Sequence, residues 1–398
     1  MLVKDTYHIT YCSNIHPGED WETTFSNVKK YIPEIQKAVS GNAPFGIGLR
    51  LSNNASEELA KGDNLSNFKK WLSDNNCYVF TMNGFPYGNF HNTIVKDQVH
   101  APDWTTNERL VYTKRLFTQL ETLVPNGISG GISTSPVSYK HWFHSEEAIA
   151  TALKKGAEQL ADIVEQLYTI EKTSGKYLHL DIEPEPDGLI ENTKEFLDFY
   201  SNYLLPIGVS ILNLKWDLEA AEIERIIKRY ITLCYDVCHF SLAYETPEYT
   251  FEALEKEGIR VGKIQVSAAL KILFEKGKEE AIWKSLERFD EPTYLHQVTE
   301  KIGVNVLVYN DLPMLLKEKY QYKELRAHFH VPIFLEKFDH LYSTQDQILN
   351  TLEYLKNHKI SDHLEIETYT WDVLPNTLKV DMTQSIAREL NWLKDKLE

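Results

Sequence analysis

Cysteine and methionine are scarce in this chain, four of each among 398 residues. The cysteines, Cys12, Cys77, Cys234 and Cys238, lack the paired spacing that holds zinc or a redox couple, and each lies in or beside an apolar run, so buried thiols are expected. Long hydrophobic runs are missing too. No stretch of about 20 apolar residues is available to span a bilayer, and the opening MLVKDTYHITYC has no basic head followed by an apolar core. A cytoplasmic protein with no direct membrane insertion is expected. Positive charge is in deficit, with 42 Lys and Arg against 58 Asp and Glu for a net charge of −16. Without a dense basic run to override that field, a nucleic-acid partner is not expected. Internal repeats, low-complexity tracts and flexible linkers are also lacking, which favours a single domain over residues 1–398.

With 42% hydrophobic and 12% aromatic residues, the composition is that of an ordinary folded protein. Short β-rich runs alternate with longer helical ones, the mark of βα units around a parallel sheet. The strand candidates are Tyr7–Cys12, Phe45–Leu51, Tyr78–Asn83, Ile128–Thr134, Tyr177–Glu183, Ile231–Asp236, Val261–Val266 and Leu364–Tyr369. Helical candidates alternate with them: Trp21–Val39, Ser56–Asp74, Thr106–Leu123, Ser145–Thr173, Asn192–Tyr203, Glu219–Tyr230, Pro247–Glu257 and Thr344–Asn357. Eight such units predict an α/β fold, a (β/α)8 TIM barrel. Between the seventh and eighth strands, an insertion at about residues 268–343 has strand-like pieces of its own. Tyr294–Val298 and Val304–Tyr309 read as a hairpin or augmenting pair, and Arg326–Phe334 reads as extended.

The chemistry centres on KYLHLDIEPEPD, Lys176 to Asp187. His179, Asp181 and Glu183 alternate with Leu178, Leu180 and Ile182, so the three polar side chains share one face of a strand. Pro184 and Pro186 end that strand at about Glu183, which puts the carboxylate at a C-terminal tip, where a parallel barrel carries its reactive groups. In CYDVCHFS, Asp236 closes the sixth strand and His239 follows. Either both side chains converge as ligands, or the aspartate caps a turn and the histidine is satisfied by a carbonyl. His328 and His330 in RAHFHVP project from one face, a spacing shared by metal ligands and structural pairs. Glu365 and Glu367 in HLEIETYTWDVLP repeat the inward-carboxylate pattern. Inward Asp181, Glu183, Asp236, Glu365 and Glu367 are costly unless neutralised, by a cation or by salt bridges from Arg50 and Lys263. Gln265, at the tip of KIQVSAAL, offers an amide oxygen to the same volume. Carboxylate and amide ligands suit Mn²⁺, Mg²⁺ or Co²⁺, and the histidines add Zn²⁺ or Fe²⁺, so a divalent metal ion of open identity is the expected cofactor.

Glu ending the fifth strand, D-x-x-H after the sixth, an amide at the seventh, H-x-H beyond it and Glu at the eighth together resemble the xylose-isomerase-like TIM barrels. That superfamily includes sugar isomerases and epimerases, hydroxypyruvate isomerase and the endonuclease IV nucleases. The resemblance spans the whole barrel and implies a metal site of Glu183, Asp236, Gln265 and Glu367, with His239 matching the His of D-x-x-H and His330 the histidine after strand seven in the multi-metal branch. The nuclease branch has histidines at the tips of the third and fourth strands, where this chain has Asn83 and Ser133 or Thr134, so one or two metals are implied rather than three. More narrowly, HITYCSNIHPGEDW, APFGIGLRLS and YVFTMNGFPYGNFH followed by VKDQVHAPDW resemble the bacterial EboE proteins, called metabolite traffic proteins. Members of that family are encoded among genes linked to prenyl-type precursor handling and export. The resemblance implies a small-molecule metabolite and association with other Ebo pathway proteins, and leaves the oligomeric state open.

In the isomerase and epimerase relatives, a metal bridges two oxygens of a hydroxy-carbonyl substrate while two carboxylates shuttle a proton. Carried over, Glu183 and Glu367 form the catalytic pair, and Arg50, Asn83, His91, His328, Lys263 and Trp371 are expected around the substrate. Phe85, Tyr87 and Trp371 would exclude water, and His16 is expected as a solvated loop histidine. The expected function is therefore that of a metal-dependent isomerase or epimerase of a small polyol-like or hydroxy-carbonyl metabolite. The alternative is a non-catalytic protein that binds or hands over a metabolite. A nuclease-type phosphodiesterase is disfavoured by the acidic charge and the strand tips.

Overall fold

The computed structural model describes residues 1–88, 96–290, 296–369 and 380–398. Eight parallel strands form its centre: Tyr7–Tyr11, Phe45–Arg50, Cys77–Asn83, Gly130–Thr134, Leu178–Ile182, Ile231–Asp236, Val261–Val266 and His363–Ile366, the first to eighth barrel strands. They overlap the eight expected spans. Around the sheet the order is first, eighth, seventh and so on down to second, with the eighth strand paired to both the first and the seventh. The ring closes between the first and second strands, where Cys12 bridges Gly48. There Thr10 Oγ1 donates to the Gly46 carbonyl at 2.8 Å and accepts from the Gly48 N–H at 3.0 Å. The chain is thus a (β/α)8 barrel, as the alternation of apolar periods predicts.

Outward-facing Ile9, Ile47, Leu49, Leu180, Leu233, Ile264 and Leu364 are fully buried under the helical ring. At roughly 1.5–3 kcal/mol for each large apolar side chain, this shell is what holds the barrel shut. The longest helix, Glu146–Ser174, starts where Ser145 accepts from the Ala148 N–H and stops at Gly175, whose φ of 72° is left-handed. Its Leu160, Ile163, Val164 and Leu167 form the buried stripe that the spacing predicts. The expected helix Ser56–Asp74 is two helices, Asn53–Leu59 and Asn64–Asp74, because Gly62 between them takes a φ of 53°. The expected Asn192–Tyr203 helix runs on to Asn213 through a wider-wound turn at Tyr200–Leu204.

The interior departs from the usual barrel, in which branched apolar side chains fill the axis. Here His8, His179 and His363 lie low in the barrel, Asp181, Lys263 and Glu365 one step higher, and Glu183, Asp236, Gln265 and Glu367 at the C-terminal mouth. Two glycines make room for them. A Cβ on Gly48 would sit 1.8 Å from Glu365 Oε1, and one on Gly262 would sit 1.9 Å from Asp181 Oδ1.

The insertion builds a second sheet of six antiparallel strands, in the order Asn305–Tyr309, Val298–Ile302, Glu324–Val331, Ala268–Leu273, Leu341–Ser343, Lys337–Phe338. The expected hairpin is present with its first strand shifted to Val298–Ile302. Its expected start at Tyr294 lies outside the described residues. Strand Ala268–Leu273 follows the seventh barrel strand almost directly and pairs with Glu324–Val331, so the insertion is anchored beside the mouth. In that pair, Ala327 stands opposite Leu270 but Val331 opposite Ala268. Four residues along one strand therefore face two along the other, and the excess is a bulge that holds His328, Phe329 and His330.

Candidate metal centre

Each carboxylate at the mouth is placed by a local device. Pro184 ends the fifth strand just past Glu183, whose N–H donates to the Thr134 carbonyl at 2.9 Å. Asp236 is the N-cap of the short helix Val237–Leu242, and its Oδ1 accepts from the His239 N–H at 3.0 Å and from Ser267 Oγ at 2.8 Å. On Glu367, Oε1 accepts from Asn14 Nδ2 at 2.9 Å, from Asn83 Nδ2 at 3.3 Å and from the Tyr369 hydroxyl. Oxygens of Glu183, Asp236 and Glu367 lie within 4.8 Å of one another, and all three residues are buried. The outer oxygens Glu183 Oε2 and Asp236 Oδ2 are buried with no hydrogen-bond partner. Burial first, then the charges of Glu367, Asp236 and Glu185, push the Glu183 carboxyl well above the ordinary range. Three buried carboxylates converging at this distance, two of them with an orphaned oxygen, are what a divalent cation fits, with Glu183, Asp236 and Glu367 to hold it.

A second donor cluster adjoins the first and shares Asp236. His239 Nε2 lies 3.1 Å from His328 Nε2, 3.4 Å from His330 Nε2, 3.2 Å from Glu185 Oε2 and 3.8 Å from Asp236 Oδ1. The tautomers follow from the far side of two rings: His239 Nδ1 donates to the Pro184 carbonyl at 2.8 Å, and His330 Nδ1 to the Glu367 carbonyl at 3.1 Å. Both Nε2 lone pairs therefore point into the cluster, in the arrangement by which backbone carbonyls orient metal-binding histidines. Burial lowers the pKa of His239, and burial with the neighbouring imidazoles pushes that of His328 well below its ordinary value, so both rings are neutral. The insertion half of the cluster is tied to the barrel half by Gln297. Its Nε2 donates to Asp187 Oδ1 at 3.0 Å and Glu191 Oε1 at 3.1 Å, while its carbonyl accepts from the His328 N–H at 2.9 Å. Glu389 adds a second tie, accepting from the Ile333 N–H at 3.0 Å and from Thr368 Oγ1 at 2.9 Å.

The remaining expected residues are placed variously. Gln265 is buried at the mouth, paired in register with Asp236 and Glu365. Asn83 is on Glu367, as described above. Arg50 is buried at the tip of the second strand, where Nη1 donates to the Gly18 carbonyl at 3.0 Å and to Glu19 Oε1 at 3.1 Å. Its Nε and Nη2 have no hydrogen-bond partner among the described residues. Lys263 is placed differently from its expectation at the substrate. Its ammonium is fully buried below the mouth, in an ion pair with Glu365 and 3.3 Å from Ser133 Oγ, with no surface left for a ligand. His328, expected against substrate, joins the imidazole cluster instead. His16 is not solvated. It is buried, stacked on Tyr31 at 4.3 Å and bonded to the Tyr11 hydroxyl at 2.8 Å. Phe85 is buried 5.4 Å from the His100 ring, and Tyr87 packs on Tyr112. His91 and Trp371 lie outside the described residues.

Sequence reasoning missed Glu185, Asn14 and Tyr369. Glu185 had a legible signal, since Pro184 and Pro186 keep the backbone extended and a carboxylate two residues past Glu183 stays on the same side. Asn14 and Tyr369 reach Glu367 from 353 residues away and from two residues beyond it, and neither contact has a local signature.

No family model matches the sequence, and no curated protein matches it. Crystal structures do. A xylose isomerase-like TIM barrel protein from Mycobacterium smegmatis, in complex with magnesium, matches with a TM-score of 0.52 at 10% identity, over 100% of this chain and 98% of that one. A protein from Anabaena variabilis assigned to the sugar phosphate isomerases/epimerases matches with a TM-score of 0.52 at 11% identity, over 98% of both chains. These likenesses show the class of fold, a TIM barrel similar to that of the xylose isomerase-like proteins.

Proposed function

We propose that this chain is a divalent-metal-dependent isomerase or epimerase that moves a proton at carbon in a small hydroxy-carbonyl or polyol-like metabolite. The observation that carries the reading is the set of carboxylates at the barrel mouth, buried Glu183, Asp236 and Glu367 with half-buried Glu185, which has orphaned oxygens on Glu183 and Asp236 and no Lys or Arg ion-paired to any of the four among the described residues. The magnesium complex of the M. smegmatis barrel supports a divalent metal as the cofactor of this fold. When bound, a divalent cation would supply the Lewis acidity that eases removal of a proton beside a carbonyl.

The two outer carboxylates take unequal parts. Glu367 is fixed by Asn14, Asn83 and Tyr369 on one oxygen, which suits a ligand that stays in place. Glu183 keeps an unpartnered oxygen and a raised pKa, which suits the group that takes and returns the proton. The unpartnered Nε and Nη2 of Arg50 offer two donors to a substrate carboxylate or phosphate. The segments that resemble the EboE proteins favour a metabolite of prenyl-type precursor handling as the substrate, in association with other proteins of that pathway. The single-domain reading of residues 1–398, with the insertion as an elaboration of the barrel, belongs to the same proposal.

The test is elemental analysis of protein purified without chelator, followed by deuterium exchange from solvent into a panel of ketoses and aldoses. Near-stoichiometric metal is expected in the parent, with a loss of at least about a hundredfold in affinity for Asp236→Asn, which keeps the helix cap but withdraws a charge from both clusters. Glu183→Gln is expected to retain an amide ligand yet abolish exchange. A parent that binds no Mg²⁺, Mn²⁺, Fe²⁺ or Zn²⁺ would sink the reading.

A further inference from the structure

Exposed apolar side chains are unevenly spread over this protein. Of the twelve large hydrophobic residues that stand in solvent among the described residues, six fall between positions 302 and 320: Ile302, Val304, Leu307, Val308, Met314 and Tyr320. The first four belong to the hairpin of Val298–Ile302 and Asn305–Tyr309, with Val304 at its tip 93% exposed. Asn305–Tyr309 pairs on one side with Val298–Ile302 and is the edge of the six-stranded sheet on the other. Leu307 and Val308 are adjacent, so they point to opposite faces, and both are exposed.

An edge strand is a row of unpaired N–H and C=O groups, and soluble proteins guard such rows with charge, proline or bulges. This one has none of those guards. From Ile302 to Asn310 the sequence IGVNVLVYN contains no charged residue and no proline, and the five cross-strand pairs to Val298–Ile302 are in continuous register, without a bulge. The local charge is also the reverse of the whole. Residues 301–320 carry Lys301, Lys317 and Lys319 against Asp311 and Glu318, in a chain of net charge −16. Two copies of so acidic a protein repel over most of their surfaces, and this segment is a place where they meet without that repulsion.

We propose that Asn305–Tyr309 is a self-association edge, pairing antiparallel with the same strand of a second copy and joining two six-stranded sheets across a two-fold axis. An antiparallel strand pair is self-complementary, so the contact closes at two copies and does not propagate. Leu307, the middle residue of the strand, lies at or beside the axis, and the exposed apolar residues of each hairpin cover those of its mate.

The experiment is light-scattering mass determination of the full chain at about 100 µM, where a dimer with a Kd of about 10 µM is well populated. The parent is expected at about 1.8 times its chain mass of 46.2 kDa, and Leu307→Glu and Val308→Glu at the chain mass. Leu214→Glu, a control at an 88% exposed position outside the insertion, is expected to leave the dimer intact. Because the four native cysteines are buried, Leu307→Cys provides a second reading that does not depend on a glutamate being tolerated. Paired strands bring opposed Cα atoms to about 4.5–5.5 Å, within disulfide reach, so mild oxidation is expected to give a covalent dimer. A monomeric parent overturns the proposal, as does a dimer that survives both glutamate variants or fails to cross-link through Leu307→Cys.

Discussion

The lower and upper halves of this barrel's interior are built from the same kinds of residue and behave in opposite ways. In the lower half every formal charge has an answer. Lys263 meets Glu365, and Asp181 accepts from Thr232 while lying 2.6 Å from His179 Nδ1. Oxygens without a hydrogen-bond partner occur in both halves, on Asp181 and Glu365 below and on Glu183 and Asp236 above, but in the upper half Glu183, Glu185, Asp236 and Glu367 gather around imidazoles with no Lys or Arg ion-paired to them among the described residues. The lower arrangement carries its own cation, Lys263. The upper one holds more negative charge than the chain itself neutralises, which is costly in a metal-free fold and useful once a cation binds.

Removing Lys263 is the strongest way to break this comparison. Lys263→Met leaves Glu365 buried without its partner and is expected to lower unfolding stability by about 3–5 kcal/mol, read from urea denaturation. Lys263→Met with Glu365→Leu should recover most of the loss. If Lys263→Met instead abolishes metal binding at unchanged stability, the lower half is part of the site and the division fails.

The second prediction sharpens the upper half through pH. Burial and like charge raise the carboxyl pKa of Glu183 and Glu185 in the metal-free fold. Between the ordinary carboxylate range and those raised values the folded state binds more protons than the unfolded one, so metal-free stability falls as pH rises through that window. A bound cation displaces the protons and removes the penalty. The stabilisation by added metal, read from the rise in melting temperature, is therefore expected to grow as pH rises above the ordinary carboxylate range, by about 1.4 kcal/mol per pH unit for each proton displaced. A shift that is flat or shrinks with pH would contradict the assignment.

The smallest effect expected is at Asn14, which only orients Glu367. Asn14→Ala should weaken metal binding about tenfold by calorimetry while leaving stability within about 1 kcal/mol. Loss of binding altogether would make Asn14 a ligand and not a support.

Much of this site was legible because a strand's two-residue period puts alternate side chains on one face. His179, Asp181 and Glu183 could be assigned inward from that rule alone, as could Glu365 and Glu367. The rule says which way a side chain faces, and not which neighbour it meets. That is why Lys263 reads equally well as a substrate contact and as the partner of Glu365. His16 fails for a related reason: a histidine in a loop carries no mark of the Tyr31 ring that covers it. Strand Ala268–Leu273 is hidden because it follows the seventh barrel strand after one residue, so one apolar stretch serves two sheets. The helix Met382–Leu397 was absent from the expectation although Ile386, Leu390, Leu393 and Leu397 supply its buried stripe.

The bulge that carries His328 and His330 sits in the insertion, outside the ring of barrel strands. Glu183 and Asp236 come from the barrel itself. Two of the three imidazole donors thus ride on a detachable module, while the oxygen donors Glu183 and Asp236, with His239, are part of the chassis. Exchange of one surface excursion can retune which metals the protein prefers while the strands that define its architecture stay untouched.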